Sequence, residues 1–263
     1  MGIRPTKFTP GIAIAAAVTL GNAVCGLIAI VLLIEQMSAA SGLEALVWPC
    51  RLIILGWLFD MVDGYVARAL NASSAFGGEL DSLADAITAG AATGALLVIA
   101  PVVLKLDAVG TALGWAAGIL FLSGVLARLA RFNIEAKLET TEPHFYFQGM
   151  PGISAAVCVA AVVLALHRLD TQSIISHAQT QALGYAVPIL AIVMSGLMLS
   201  RLPYADLPKH YGGGRQPWWH LAILLVAGLL IGPEPVFALF MLGYMMLSPL
   251  LSRPDAAHPP GRQ

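Results

Sequence analysis

The chain has 263 residues, of which 58% are hydrophobic and only 11% charged, with a mean hydropathy of +0.81. A surface of that composition is solvated by lipid rather than by water, which excludes a large soluble domain. A formal net charge of -1 and the absence of an aromatic and basic stripe exclude a nucleic-acid partner.

Taken in order, apolar runs bounded by charges, Pro and Gly predict eight spans at 11–34, 43–62, 82–104, 108–130, 150–167, 182–200, 217–232 and 234–251. Backbone groups in hydrocarbon must bond within their own segment, and these runs do not alternate as barrel strands do, so each is expected to be a helix. The fold class is therefore all-α, a polytopic transmembrane bundle forming a single domain over 1–252, with 253–263 as a disordered cytoplasmic tail. The first run is too long for a signal-peptide core despite Arg4 and Lys7 before it.

Lys and Arg are retained on the cytoplasmic side. With the N-terminus inside, Arg4, Lys7, Arg68, Arg128, Arg131, Lys137, Arg201, Lys209, Arg215, Arg253 and Arg262 fall inside, and Arg51, Lys105 and Arg168 outside. That asymmetry places the protein in the cell membrane with its N-terminus facing the cytoplasm. Cys25, Cys50 and Cys158 lie in apolar segments without metal or disulfide spacing and read as small buried hydrophobes. The six His are scattered and carry no chemistry. Trp218, Trp219 and Tyr211 read as an interfacial anchor, and Gly212-Gly213-Gly214-Arg215 as a cytoplasmic connector lacking the Lys-Ser/Thr of a phosphate loop.

Around the second and third spans the chain reads Phe59-Asp60-Met61-Val62-Asp63-Gly64-Tyr65-Val66-Ala67-Arg68 and then Phe76-Gly77-Gly78-Glu79-Leu80-Asp81-Ser82-Leu83-Ala84-Asp85. Asp60 and Asp63 are spaced i,i+3 and Asp81 and Asp85 i,i+4, so each pair shares a helix face. If the two helices are antiparallel neighbours across a short loop, four carboxylates converge at the cytoplasmic ends of spans 2 and 3. A lone Asp could cap a helix or reach for the interface, but four together repel unless compensated. Asp60, Asp63, Asp81 and Asp85 thus point to Mg²⁺ or Mn²⁺, with room for the two ions of a phosphoryl-displacement site. Gly64, Ala67, Gly77 and Gly78 flatten the surfaces beside them, which suits either a bulky ligand or close helix packing.

The pattern Asp60-x2-Asp63-Gly64-x2-Ala67-Arg68-x8-Gly77-x3-Asp81-x3-Asp85 resembles the complete signature of the CDP-alcohol phosphotransferases. That resemblance implies transfer of a phosphoalcohol group from a CDP-activated donor to an acceptor hydroxyl, with release of CMP. It implies that Asp60, Asp63 and Asp81 ligate the metals, that Asp85 is the general base, and that Asp63, Gly64, Ala67, Arg68 and Gly77 lie near the CDP group. It also implies a homodimer, for which the small faces of Gly114, Ala117 and Gly118 leave room.

Within the family, Thr19-Leu20-Gly21-Asn22-Ala23-Val24-Cys25-Gly26, Arg128-Leu129-Ala130-Arg131-Phe132-Asn133 and Phe147-Gln148-Gly149-Met150-Pro151 are similar to segments of membrane-type phosphatidylserine synthases. This implies CDP-diacylglycerol as donor and L-serine as acceptor. Arg128 and Arg131, spaced i,i+3 at the end of the fourth span, read as a fork for phosphate or an acceptor carboxylate, against the alternative of positive-inside anchors. Two departures stand out. Thr88-Ala89-Gly90-Ala91-Ala92-Thr93 replaces the family's Ser-Phe-Gly-Val-Ala-Pro, close to where the acceptor is expected, and Ala16-Ala17 replaces a Pro-Asn pair. The alternatives are another acceptor, such as glycerol phosphate or inositol phosphate, an ether-lipid donor, or a metal or proton transporter using the same acidic cluster.

Overall fold

The computed structural model describes residues 9–36, 42–72, 74–138, 146–205 and 233–251. Within them α1 spans Pro10–Gln36, α2 Val47–Ala69, α3 Ala75–Asp85, α4 Thr93–Val103, α5 Ala108–Leu138, α6 Gly152–Thr171, α7 His177–Leu199 and α8 Pro233–Leu251. A 3₁₀ turn at Leu43–Leu46 leads into α2, and a π-helical stretch at Ala86–Ala92 joins α3 to α4 in one continuous span, Ala75–Val103. The one departure from helix among the described residues is a two-stranded antiparallel ribbon, β1 Tyr146–Gln148 with β2 Pro203–Ala205.

Among the described residues six helices are long and apolar enough to cross a bilayer: Pro10–Gln36, Leu43–Ala69, Ala75–Val103, Ala108–Ile134, Gly152–Thr171 and His177–Leu199. They match the first six expected spans. The seventh, with its aromatic anchor and the Gly212-Gly213-Gly214-Arg215 connector, lies outside the described residues, as does the tail. α8, in the place of the eighth, packs on α6.

Helices outrun the apolar windows that announced them. α2 continues to Ala69 and α5 to Leu138, while the third span starts at Ala75, because intrahelical hydrogen bonds persist where the lining turns polar. Ser74 sets that start by accepting a bond from the Gly77 N–H at 3.1 Å. Asp81, Arg128 and Arg131 are consequently inside helices rather than at their ends, and Gly77 lies in the first turn of α3.

α6 is the central helix. Ala155 through Ala161 are all buried, and the helix touches α2, α5, α7 and α8. A helix apolar on every face can be enclosed in this way. Cys25, Cys50 and Cys158 are free and buried, as their setting indicated.

Two corrections concern packing. α2 and α3 are not direct neighbours in the way the short loop suggested: each packs mainly on α1, which lies along both. The Gly114, Ala117 and Gly118 face is used within the chain. A Cβ at Gly114 would lie 2.7 Å from the Leu97 carbonyl oxygen and one at Gly118 2.7 Å from that of Gly94, and Ala117 is fully buried. These small residues let α4 and α5 approach, so they leave no face for a second copy.

Candidate active site

α2 and α3 present their acidic faces to a common space beside α1. Asp60, Asp63 and Asp81 each bring one carboxylate oxygen within 4.8 Å of the others. Oxygens on opposite sides of a Mg²⁺ ion, each at about 2.1 Å, sit about 4.2 Å apart, so the trio is of coordination size. Asp63 Oδ2 and Asp81 Oδ1 are buried with no hydrogen-bond partner, and Asp60 and Asp81 are in side-chain contact. Carboxylates this close require a shared positive charge. The orphaned oxygens and the all-oxygen donor set therefore fit a hard divalent cation.

Asp85 lies outside that three-oxygen cluster but faces the charges of Asp60, Asp81 and Asp63. Its Oδ1 accepts a bond from Asn22 Nδ2 at 3.1 Å, and Arg128 of α5 faces it as an electrostatic partner. The i,i+4 spacing that put Asp81 and Asp85 on one face holds, but one turn of depth gives them different surroundings. Thr19 of α1, whose hydroxyl donates to the Ala15 carbonyl at 3.1 Å, lines the same cavity as Asp63.

Beside the trio, a cavity of about 260 Å³ is lined on one side by Ile12, Ala15 and Ala16 of α1 and on the other by Asp63, Gly64, Ala67, Arg68, Gly77 and Gly78. All five positions expected near the CDP group line it. A ligand with a polar, charged head and an apolar body matches those two walls. Ser74, the N-cap of α3, and Asp81 complete the lining on that side.

Arg128 and Arg131 diverge despite sharing a helix face. Arg131 points at the end of α7, with its guanidinium 3.4 Å from the carbonyl oxygens of both Met198 and Leu199. Gly149, at φ +80°, is wrapped by the same group: a Cβ there would meet the Met198 oxygen at 2.5 Å and Arg131 Nη2 at 2.9 Å. A cation at a helix C-terminus is well placed to satisfy its last carbonyls.

The departure at Thr88 is explained by packing. Thr88 Oγ1 donates to the Asn22 carbonyl at 2.8 Å, and Thr88, Ala89, Gly90 and Ala92 are buried against α1 and α5. A Cβ on Gly26 would fall 2.5 Å from Thr88 Oγ1, so the π-helical stretch and α1 cross at nearly backbone contact.

Asn22 and Thr19 enter the sequence reading only as marks of resemblance, yet both reach the site. Their signal is present in the chain: polar side chains three residues apart in an otherwise apolar span.

A bundle of membrane-crossing helices that gathers three carboxylates, with a fourth nearby, defines a class of intramembrane protein with a buried acidic site. The profile of the CDP-alcohol phosphatidyltransferases matches residues 12–197, and the chain belongs to that family. Relatives named CDP-diacylglycerol–serine O-phosphatidyltransferase include one from Helicobacter pylori, 35% identical over 166 residues, 62% of each chain. Another, from Bacillus subtilis, is 32% identical over 197 residues, 73% of this chain and 90% of the relative. A third, from Mycobacterium bovis, is 28% identical over 253 residues, 93% of this chain and 80% of the relative. The matched stretch thus spans less than two thirds of the Helicobacter relative's own length.

Proposed function

We propose that the protein transfers the phosphatidyl group of CDP-diacylglycerol to the hydroxyl of L-serine, giving phosphatidylserine and CMP. What carries this reading is the division of the acidic cluster into three mutually close carboxylates and a fourth, Asp85, held by a different partner. Metal ligation and proton acceptance need that separation, because an oxygen committed to a cation is a poor base. The names of the relatives supply serine as the acceptor.

Asp60, Asp63 and Asp81 would hold two divalent ions, Mg²⁺ or Mn²⁺, which when bound supply charge neutralisation on the diphosphate. Gly64, Ala67 and Gly77 leave the cavity wall flat for the CDP group, and Arg68 offers a guanidinium to its phosphates. Ile12, Ala15 and Ala16 form the apolar wall along which the diacylglycerol portion lies. The serine oxygen bonds to the phosphorus carrying the diacylglycerol as the bridging P–O bond to CMP breaks. Asp85 takes the hydroxyl proton, and CMP leaves with the bridging oxygen. Arg128, beside Asp85, is the better placed of the two arginines to meet the acceptor carboxylate; Arg131 is engaged with α7.

The reaction belongs at the cytoplasmic face of an eight-span protein with its N-terminus inside, in keeping with the distribution of Lys and Arg. A homodimer would have to use a face other than that of Gly114, Ala117 and Gly118. The test is CMP release from CDP-diacylglycerol by purified protein with Mn²⁺ or Mg²⁺, comparing serine with glycerol phosphate and inositol phosphate. Serine-dependent release lost in Asp85→Asn supports the reading. Release with another alcohol alone sinks serine, and metal flux without CMP release would identify a transporter.

A further inference from the structure

Asn22 is fully buried in the middle of a lipid-spanning helix, a position where an apolar residue costs nothing. Its Nδ2 donates to Asp85 Oδ1 at 3.1 Å, while its own Oδ1 is buried without a hydrogen-bond partner. These two facts are linked. A carboxylate oxygen can take a bond only from the nitrogen of the amide, so contact with Asp85 fixes the flip and leaves the amide oxygen facing Gly56. A buried acceptor without a donor is destabilising, and a residue serving packing alone would not carry one.

The surroundings hold this arrangement. A Cβ at Gly56 would lie 2.7 Å from Asn22 Oδ1, so glycine there makes room for the amide. Thr88 Oγ1 binds the Asn22 carbonyl at 2.8 Å and pins the α1 backbone to the turn that follows Asp85.

We propose that Asn22 is a positioning residue for the transfer reaction: by occupying Oδ1 of Asp85 it turns Oδ2 toward the acceptor hydroxyl as the oxygen that takes its proton. The inference rests on the reading of Asp85 as the base. Bond formation from the acceptor oxygen to phosphorus then coincides with proton transfer to one defined lone pair, and a wrongly rotated carboxylate loses that alignment.

The experiment compares wild type, Asn22→Leu, Asn22→Ala and Asn22→Gln as purified full-length protein, measuring kcat, KM for donor and acceptor, and melting temperature. Asn22→Leu and Asn22→Ala remove the orphaned amide oxygen but leave Asp85 Oδ1 without its donor, so the melting temperature is read to set the folded fraction against which kcat is compared. Their kcat should fall by about 100-fold, with KM for CDP-diacylglycerol changed less than about threefold, and Asn22→Gln, which keeps a donor, should recover part of the rate. Either folded apolar variant turning over within about twofold of wild type overturns the proposal while leaving the serine reading intact. Loss of activity that tracks loss of folded protein in all three variants, with normal kcat per folded molecule, also overturns it. A wild type releasing no CMP with any alcohol, or an Asp85→Asn variant that remains active, instead overturns the parent reading.

Discussion

Three of the side-chain polar atoms buried without partners, Asn22 Oδ1, Asp63 Oδ2 and Asp81 Oδ1, lie around the space bordered by α1, α2 and α3. For the two carboxylates a divalent cation would be the missing partner, as the proposed function requires. Mn²⁺ should therefore raise the melting temperature of the wild type, since a ligand at 100 times its dissociation constant stabilises by about 2.7 kcal/mol. Asp81→Asn should largely lose that metal-dependent rise while melting higher than wild type in chelator, where like charges are left facing one another. Equal metal response in both proteins, read by differential scanning fluorimetry, would remove Asp81 from the ligand set. Gly149 is a residue-scale constraint of another kind, because φ +80° and the Met198 oxygen 2.5 Å from an added Cβ leave no room for alanine. Gly149→Ala should cost more than about 1 kcal/mol, visible as a lowered melting temperature.

Among the elements, the determining contacts are helix crossings close enough to bring backbones together. α1 lies along both acidic helices, so a residue that bulges on α1 disturbs the site without touching a carboxylate. Gly26 and Gly118 make two such crossings, with carbonyl or Thr88 atoms within 2.8 Å of an added Cβ. Overpacking at such points costs about 1–3 kcal/mol. Gly118→Leu should accordingly lower the melting temperature of the protein while leaving its size in detergent unchanged; dissociation of a dimer on size-exclusion chromatography with normal thermal stability would return that face to an interface between copies. Gly26→Ala should reduce both stability and turnover, because it displaces Thr88 and with it Asn22.

Across the molecule, Arg168 and Glu234 tie the end of α6 to the start of α8 through a partly exposed ion pair of 2.9 Å. Such pairs contribute about 0.2–1 kcal/mol, so a double-mutant cycle should give a coupling within that range and unchanged kcat. Orientation is also a property of the whole chain. With the N-terminus inside, a cysteine introduced at Asn71, in the turn between α2 and α3, should be labelled by an impermeant thiol reagent from the cytoplasmic side. One at Lys105, between α4 and α5, should be labelled from the opposite side. Labelling of both positions from the same side would overturn the span order through the third helix.

Composition, run length and i,i+3 or i,i+4 spacing are local properties that survive without knowledge of neighbours, and they were enough for the lipid-solvated helical class, the first six spans and the convergence of Asp60, Asp63 and Asp81. The family resemblance, rather than spacing, placed Gly64, Ala67, Arg68 and Gly77 near one ligand, and these residues line one cavity. Which helix completes the site depended instead on packing between distant parts of the chain. α1 packs along both α2 and α3 through contacts that no spacing rule encodes, and so Asn22 and Thr19 were visible in the sequence as polar intrusions without a destination. Packing likewise separated Arg128 from Arg131 and turned the Gly114 face inward, because a helix face shared in sequence is divided in space by whatever packs against it.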